Sequence, residues 1–315
     1  MIHTIAAERG GGVIAGVFRA GGRPIGLAGA RVHGLGRRRV LAGVADVEHP
    51  AIGALPGLGL PDGLPGTLDP AGRPGPELLG AAVLAFERAV RAEFGPRVPA
   101  VAYRQVYRTE LPVFLPGVTL VRAGAPVAVL RNRFGGYEAY LASLSKSRRG
   151  DQRRLLRRID ADPDTVVWSG PPAESGVDLA ELHRLTADAA RRNHTRRWPP
   201  LRMWSLRLFT TMLGLPDVRM LTYKEPDGTL IAATAMFDHP VAPLLGPWGA
   251  PPLGDRRTGL WFDQFSRQLR DLLDAGRPLV LAGKGAREAK ESLGFTFEPQ
   301  WTVLRRLGRS AQKSS

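Results

Sequence analysis

Residues 137–160 read YEAYLASLSKSRRGDQRRLLRRID, and seven of the thirteen positions from Lys146 to Arg158 are Lys or Arg. Periodicity predicts one helix over 136–160, because Leu141, Leu155 and Ile159 fall on one line at about 100° per residue. Arg148 and Gln152 lie on that same line. A helix that only covered a core would carry apolar side chains there, whereas one lining a wet cleft accommodates an inward-facing Arg. The stretch therefore reads either as the wall of a cleft that meets an anion or as a solvated basic face.

Composition narrows the classes. A chain of 315 residues with 43% hydrophobic content can fill two cores. Its apolar runs, around Ala233 and Val280, fall short of the roughly 20 residues of a membrane span, and no charged start precedes a hydrophobic block. A soluble cytoplasmic protein is expected. The chain has no Cys, which excludes disulfides, thiolate metal sites and cysteine nucleophiles. The formal charge of +15 points to a polyanionic partner such as nucleic acid or a nucleotide-bearing substrate. A compositional origin is the alternative, since 38 Gly and 27 Pro accompany abundant Ala and Arg. Distribution favours a partner: up to Ala128 there are 14 Lys/Arg against 9 Asp/Glu, and the remainder is more basic, with 146–158 supplying most of its excess.

Along the chain, Val13–Phe18 and Ile25–Val32 flank a Gly-Gly turn and read as a hairpin. A Gly/Pro-rich loop over 55–76 precedes a helix from Pro76, spaced by Leu79, Val83, Phe86 and Val90 and stopped at Gly95. Strands are predicted at 100–106 and 118–121. After the basic helix the order is strand 165–169, helices 178–193 and 203–213, then strands 218–224, 229–238 and 242–248. A helix over 259–275, strand 278–282, a short helix over 285–292 and a last strand over 295–306 complete it. The fold class is α/β, with a mixed sheet and helices on both faces.

Most catalytic motifs fail. The segment GRPLVLAGKGA (276–286) resembles a phosphate loop, but Pro278 stands where that motif needs Gly, and Gly285 where it needs Ser or Thr. No two His sit at metal-ligand spacing, and no Gly-x-Ser-x-Gly elbow occurs. No metal is expected.

Four segments carry a resemblance: YLASLSKSRRGDQRRLLRRI (140–159), DGTLIAATAMF (227–237), TGLWFDQFSRQLRDLLDAG (258–276) and LAGKGAREAKESLGF (281–295). In order and spacing they resemble the FemAB-like branch of the GNAT acyltransferase superfamily. That branch shows a Tyr-Leu-x-x-Leu-Ser-x-x-x-Arg helix, an Asp-Gly-x-x-x-Ala hairpin and a terminal Gly-x-Gly-x-x-x-x-Lys-x-x-x-Gly segment. The resemblance implies tandem GNAT-like domains: a divergent or reduced one over 1–130, the acyltransferase domain over 131–307, and a disordered tail over 308–315.

It also implies transfer of an acyl group, often aminoacyl from aminoacyl-tRNA, onto the amine of a peptidoglycan precursor or a small-molecule or peptide product. That chemistry needs an oriented ester, a neutral amine and positive charge at the oxyanion, with no cofactor and no covalent intermediate. By the resemblance Lys290 serves the oxyanion or a substrate phosphate, with Lys284 second. Arg148 and Arg149 take phosphates at the cleft, and Lys146, Arg153, Arg154 and Arg157 contact tRNA. Arg256 and Arg257 are further phosphate candidates, and Trp198 and Trp248 candidate stacking platforms that compete with plain core packing. In acetyl-CoA-dependent relatives the loop before the long helix ends in a small residue; here it is Trp261, which is expected to crowd a pyrophosphate. Two alternatives stay open, an acyl-CoA-dependent N-acetyltransferase and a non-catalytic RNA binder.

Overall fold

The computed structural model describes residues 13–20, 23–33, 44–47, 76–108, 111–115, 117–193, 205–239, 242–252 and 258–307. The predicted loop from 55 to 75, Trp198, Arg256, Arg257 and the tail from 308 lie outside the described residues. The chain forms two compact units: Ala128–Phe297 is one, and the chain before it joins the segment from Glu298 onward in the other.

In chain order the first unit opens with β1 (Val13–Ala20), β2 (Arg23–His33), β3 (Val44–Val47), α1 (Pro76–Phe94), β4 (Ala100–Val106), α2 (Leu111–Phe114) and β5 (Val118–Ala123). The second unit carries β6 (Val127–Arg131), α3 (Tyr137–Ser143), α4 (Lys146–Asp160), β7 (Val166–Gly170), α5 (Leu179–Asn193), α6 (Leu206–Leu213), β8 (Val218–Lys224) and β9 (Leu230–Phe237). It continues with β10 (Leu244–Gly249), α7 (Leu260–Asp274), β11 (Leu279–Leu281), α8 (Arg287–Glu291) and β12 (Thr296–Glu298), after which β13 (Trp301–Arg306) follows.

Sheet one has the order β1-β2-β3-β4-β13-β5. The hairpin forms as its Gly-Gly turn predicts, with Val13 opposite Arg31 and Val17 opposite Leu27. α1 starts on a Pro, whose fixed φ suits a first turn, and buries Val83, Phe86 and Val90 on one stripe against Val101, Tyr103 and Val303. Sheet two has the order β12-β6-β11-β10-β9-β8-β7. One of its apolar clusters joins α5 and α6 to β8 and β9 through Leu182, Leu185, Phe209, Met220 and Ala233. Others join α3 and α7 to β6 and β11 through Tyr140, Leu141, Phe265, Leu269 and Val280, and Ile159 of α4 to Tyr223 and Ile231.

The predicted helix over 136–160 is two helices. Leu144 is extended (φ −74°, ψ 159°) and Ser145 caps α4 by accepting from the Arg148 amide at 3.2 Å. Arg149 fixes the break by donating Nη1 to the carbonyls of Ala142, at 2.8 Å, and Leu144, at 3.4 Å. Leu141 therefore belongs to α3, while Gln152 and Ile159 remain on the buried face of α4. The predicted last strand, 295–306, is also two: β12 borders β6 in sheet two, whereas β13 lies between β4 and β5 in sheet one. The reason is a break at Pro299, which cannot donate to a ladder. The strands β3 and β6 and the short α2 were not predicted; β6 runs VAVLR, an unbroken apolar run with no period to read.

Candidate functional site

β10 and β11 run parallel but pair at one position, Leu244 with Leu281. β10 also carries an irregularity between Leu245 and Trp248 against β9. Leu281 closes β11 whereas Leu244 opens β10, so β10 runs on against β9 where β11 has ended, and the two strands part in the manner of the crevices where open α/β sheets bind ligands. α7 begins just past the end of β10. Its N-cap is Gly259, in the left-handed region at φ 91°, and no side chain caps the helix. Glycine is required there twice: a Cβ would be strained at that φ and would meet Leu155 Cδ1 at 2.5 Å. The start of α7 is thus pressed onto α4.

Between α4 and that first turn lies a groove of about 270 Å³ lined by Arg148, Asp151, Gln152, Arg154, Leu155, Arg158 and Phe262. Arg148 is half-buried, with Cζ 5.0 Å from the centre of the Phe262 ring. Arg158 donates to the Thr258 carbonyl at 2.9 Å, which ties α4 to the α7 entry. Gln152 is 2% exposed, and its Oε1 accepts from the Ser266 hydroxyl of α7. The inward-facing Arg on the helical line exists, and three arginines surround one space. A second groove of about 390 Å³, lined by Ser143, Ser145, Ser147, Glu291 and Ser292 among others, shares Arg148 and Asp151 with the first.

Lys290 of α8 is buried, and its Nζ donates to the carbonyl of Ala282, the residue that follows β11. Burial pushes its ammonium down to about 8 from the ordinary 10.5. Lys284 is exposed on the loop between β11 and α8. Arg149 has its guanidinium on the α3 carbonyls. Arg153 pairs with Glu138 at 2.6 Å and Arg154 with Asp151 at 3.4 Å, all four exposed. Lys146 and Arg157 are exposed and form no ion pair among the described residues. Trp248 is half-buried and packs beside Tyr223, ring centres 6.4 Å apart, in the Ile159 cluster. The structure thus gathers Arg148, Arg154 and Arg158 at the groove, holds Lys290 at the end of β11, keeps Arg149 at the α3–α4 break, and leaves Lys146, Arg153 and Arg157 on the outer surface of α4.

These segments adopt a known arrangement. No family model matches the chain, and no curated protein matches its sequence. Solved structures do match: FemX, at TM-score 0.64 with 9% identity, over 96% of this chain and 90% of that one. The chain has the fold of FemX. L-PGS from Bacillus licheniformis aligns at TM-score 0.53 with 11% identity, over 90% of this chain and 82% of that one. The C-terminal domain of a candidate lysylphosphatidylglycerol synthetase from Agrobacterium fabrum aligns at 0.54 with 13% identity and the same coverage. The FemAB-like resemblance of the four sequence segments is thus met at the level of the fold.

Within this FemX-like fold, Trp261 stands in the first turn of α7. Its ring packs against Phe262 and Phe265, with centres 5.0 and 4.7 Å away, beside the α3–α7 core. Its ring is not among the side chains that line the groove beside α4. Sequence reasoning also passed over Phe262, Ser266 and a buried polar group on α7. Asp263 is fully buried, accepts from Tyr223 at 2.7 Å and from Arg267 at 2.6 Å, and is raised by burial. Arg267 in turn reaches Asp160 at 2.5 Å. The available signal was the count of polar residues on a helix enclosed by neighbours: Asp263, Gln264, Ser266 and Gln268.

Proposed function

We propose that the chain is an acyltransferase that forms an amide bond, moving an aminoacyl group from aminoacyl-tRNA to the amine of a peptidoglycan precursor or of a small-molecule or peptide product. The observation that carries this reading is the groove where Arg148, Arg154 and Arg158 meet the uncapped first turn of α7. Three arginines against one carboxylate, Asp151, beside the start of a helix suit phosphate. The FemX-like fold and the sequence resemblance supply the reaction class.

The acceptor amine attacks the ester carbonyl, and the electron pair moves onto the carbonyl oxygen. As the tetrahedral species collapses, the terminal ribose hydroxyl of the tRNA leaves and takes up a proton. A protonated Lys290 would stabilise the oxyanion. Arg148 and Arg158 would hold the phosphate backbone while the ester is aligned.

A second reading, acyl-CoA as donor, shares this phosphate chemistry at the start of α7. The decisive experiment offers the protein an amine acceptor with a labelled aminoacyl-tRNA pool or labelled acetyl-CoA. Amide product from aminoacyl-tRNA, abolished by prior ribonuclease treatment, is expected. Product from acetyl-CoA alone favours the second reading, and salt-sensitive tRNA binding without any product favours a non-catalytic RNA binder.

A further inference from the structure

An open sheet ends in strands whose outer backbone groups lack a partner, and folded proteins blunt such edges with Pro, Lys, other charges or very short strands. β12, at one edge of sheet two, is guarded in this way. It is three residues long, ends on Glu298 and carries the Arg287 guanidinium over Phe297, 4.4 Å from the ring centre. β5, at one edge of sheet one, is longer and barer. It reads VTLVRA, pairs with β13 alone among the described residues, and is exposed from Thr119 to Ala123. Its one charge is Arg122, and its one irregularity is a bulge at Thr119, between the pairs Val118–Arg305 and Leu120–Leu304. Leu120 is 53% exposed, Val121 38%, and Leu115, in the turn that enters β5, 48%. Three of the six large apolar side chains exposed among the described residues therefore sit at this one edge. The stretch from Leu111 to Leu130 carries a single charge in a chain of +15, so a second copy meets the least repulsion here.

One hydrogen bond sets the phase of the edge. The Gly124 amide donates to the Gln300 carbonyl at 2.7 Å, and the same ladder places Arg122 opposite Thr302 and Leu120 opposite Leu304. In an antiparallel ladder alternate residues turn their N–H and C=O to the same neighbour. Arg122 and Leu120 thus face β13, and Val121 and Ala123 present theirs outward. Side chains alternate too, so Leu120 and Arg122 share one face while Val121 lies on the other, opposite Val303 of the core. We propose that the partner of this edge is a second copy of the chain, paired β5 to β5, antiparallel, about a two-fold axis at Val121. Val121 then exchanges two hydrogen bonds with the partner's Val121, and Leu120 lies beside the stem of the partner's Arg122. An axis at Arg122 would set two guanidiniums against each other, and one at Leu120 would need the bulged Thr119 to pair with Val121 on both sides. Pairing of β5 with itself closes after two copies, whereas pairing with any other edge of the molecule would propagate. The contact falls at the small end of specific interfaces, below about 1,200 Å², so a dissociation constant of about 10–100 μM is expected. The inference concerns the first unit alone and does not rest on the proposed function.

Sedimentation equilibrium of the full chain, over concentrations that bracket this constant and at low and high salt, tests the pairing. The wild type should pass from monomer to dimer and no further. The dimer should tighten as salt rises, because screening relieves the repulsion between two chains of +15. Val121→Pro removes an outward N–H, spares the β13 ladder and should weaken the dimer at least tenfold. Leu120→Lys sets a cation beside the partner's Arg122 at two symmetric places and should weaken it about tenfold, whereas Leu120→Glu sets a carboxylate there and should preserve or tighten it. Leu84→Glu, the same charge change on the exposed side of α1, should behave as the wild type. A wild type that stays monomeric throughout overturns the proposal, and so does growth beyond the dimer. A dimer indifferent to Val121→Pro and Leu120→Lys lies on another face, and equal weakening by Lys and Glu at position 120 means that Arg122 is not opposite; either result overturns it. If Val121→Pro does not fold by circular dichroism, the two substitutions at position 120 decide, because that side chain is exposed and its replacement leaves the host sheet intact.

Discussion

Lys290 is an expensive residue for a fold to keep. Its ammonium is buried against the Ala282 carbonyl, and its affinity for a proton is lowered to about 8. The unfolded chain holds that proton up to the ordinary 10.5, so between about 8 and 10.5 the unfolded state binds more protons and stability rises with pH. Below 8 both states are protonated and the full cost applies, about 3 kcal/mol from the size of the shift. Lys290→Met should therefore raise the thermal midpoint at pH 7, by up to that amount less the lost hydrogen bond, with the gain fading by pH 10.5. The same change should slow transfer by about 10²–10³-fold if the protonated amine stabilises an oxyanion. The ratio of wild-type to Lys290→Met rates should shrink as pH rises through 8, because the wild type then loses its charge. A midpoint that falls at pH 7 would overturn the burial cost, and a rate ratio flat across that range would remove Lys290 from the reaction. The sequence exposed this Lys only through the resemblance. Its burial was illegible, since a five-residue helix carries too few turns to show a face.

At the scale of the element, α4 shows what periodicity can and cannot reveal. The line through Leu141, Arg148, Gln152, Leu155 and Ile159 located the inward Arg and the inward Gln correctly, but it ran straight through a break. Ser145 was the legible sign, an N-cap residue with its hydroxyl on the Arg148 amide. No Glu follows at the position that completes a capping box, and Arg149 closes the break from a place no local rule predicts. Ser145→Ala should cost about 1 kcal/mol in a denaturant melt. The outer face of α4 is a separate matter. Lys146, Arg153 and Arg157 are exposed there, and the weak surface pair of Arg153 with Glu138 contributes little to stability. Replacing Arg153 and Arg157 by Ala should leave the melting midpoint nearly unchanged. It should also flatten the log–log salt dependence of tRNA binding by roughly 0.7–0.9 for each phosphate that is no longer neutralised. An unaltered slope would make the outer face a solvated one, with the groove remaining as the only phosphate site proposed.

Across the whole molecule, the chain leaves its first unit at Val127 and returns to it at Glu298, so Ala128–Phe297 is inserted into the unit that begins the chain. The insertion starts on β6 and ends on β12, which are neighbours in sheet two, so both of its ends lie side by side. A one-dimensional reading assigns consecutive strands to one sheet, and for that reason it could not divide 295–306. What draws β13 back is a buried ion pair. Arg305 meets Glu87 of α1 through Nε at 2.5 Å and Nη2 at 3.2 Å, and it donates to the Phe114 carbonyl at 2.7 Å. Tyr103 adds a hydrogen bond to the same carboxylate at 3.0 Å, and burial, followed by that carboxylate's charge, holds its phenol well above the usual range. Arg305→Met should cost about 3–5 kcal/mol, because it strands the Glu87 charge in the core, whereas Arg305→Met with Glu87→Leu should recover most of the loss. Since both partners belong to the first unit, Arg305→Met should lower an early melting transition and leave a later one in place. Below that early transition, tRNA binding at the α4–α7 groove should match the wild type. A single transition shifted as a block would instead mean that the inserted unit depends on its host for stability, and the groove would then weaken together with the ion pair.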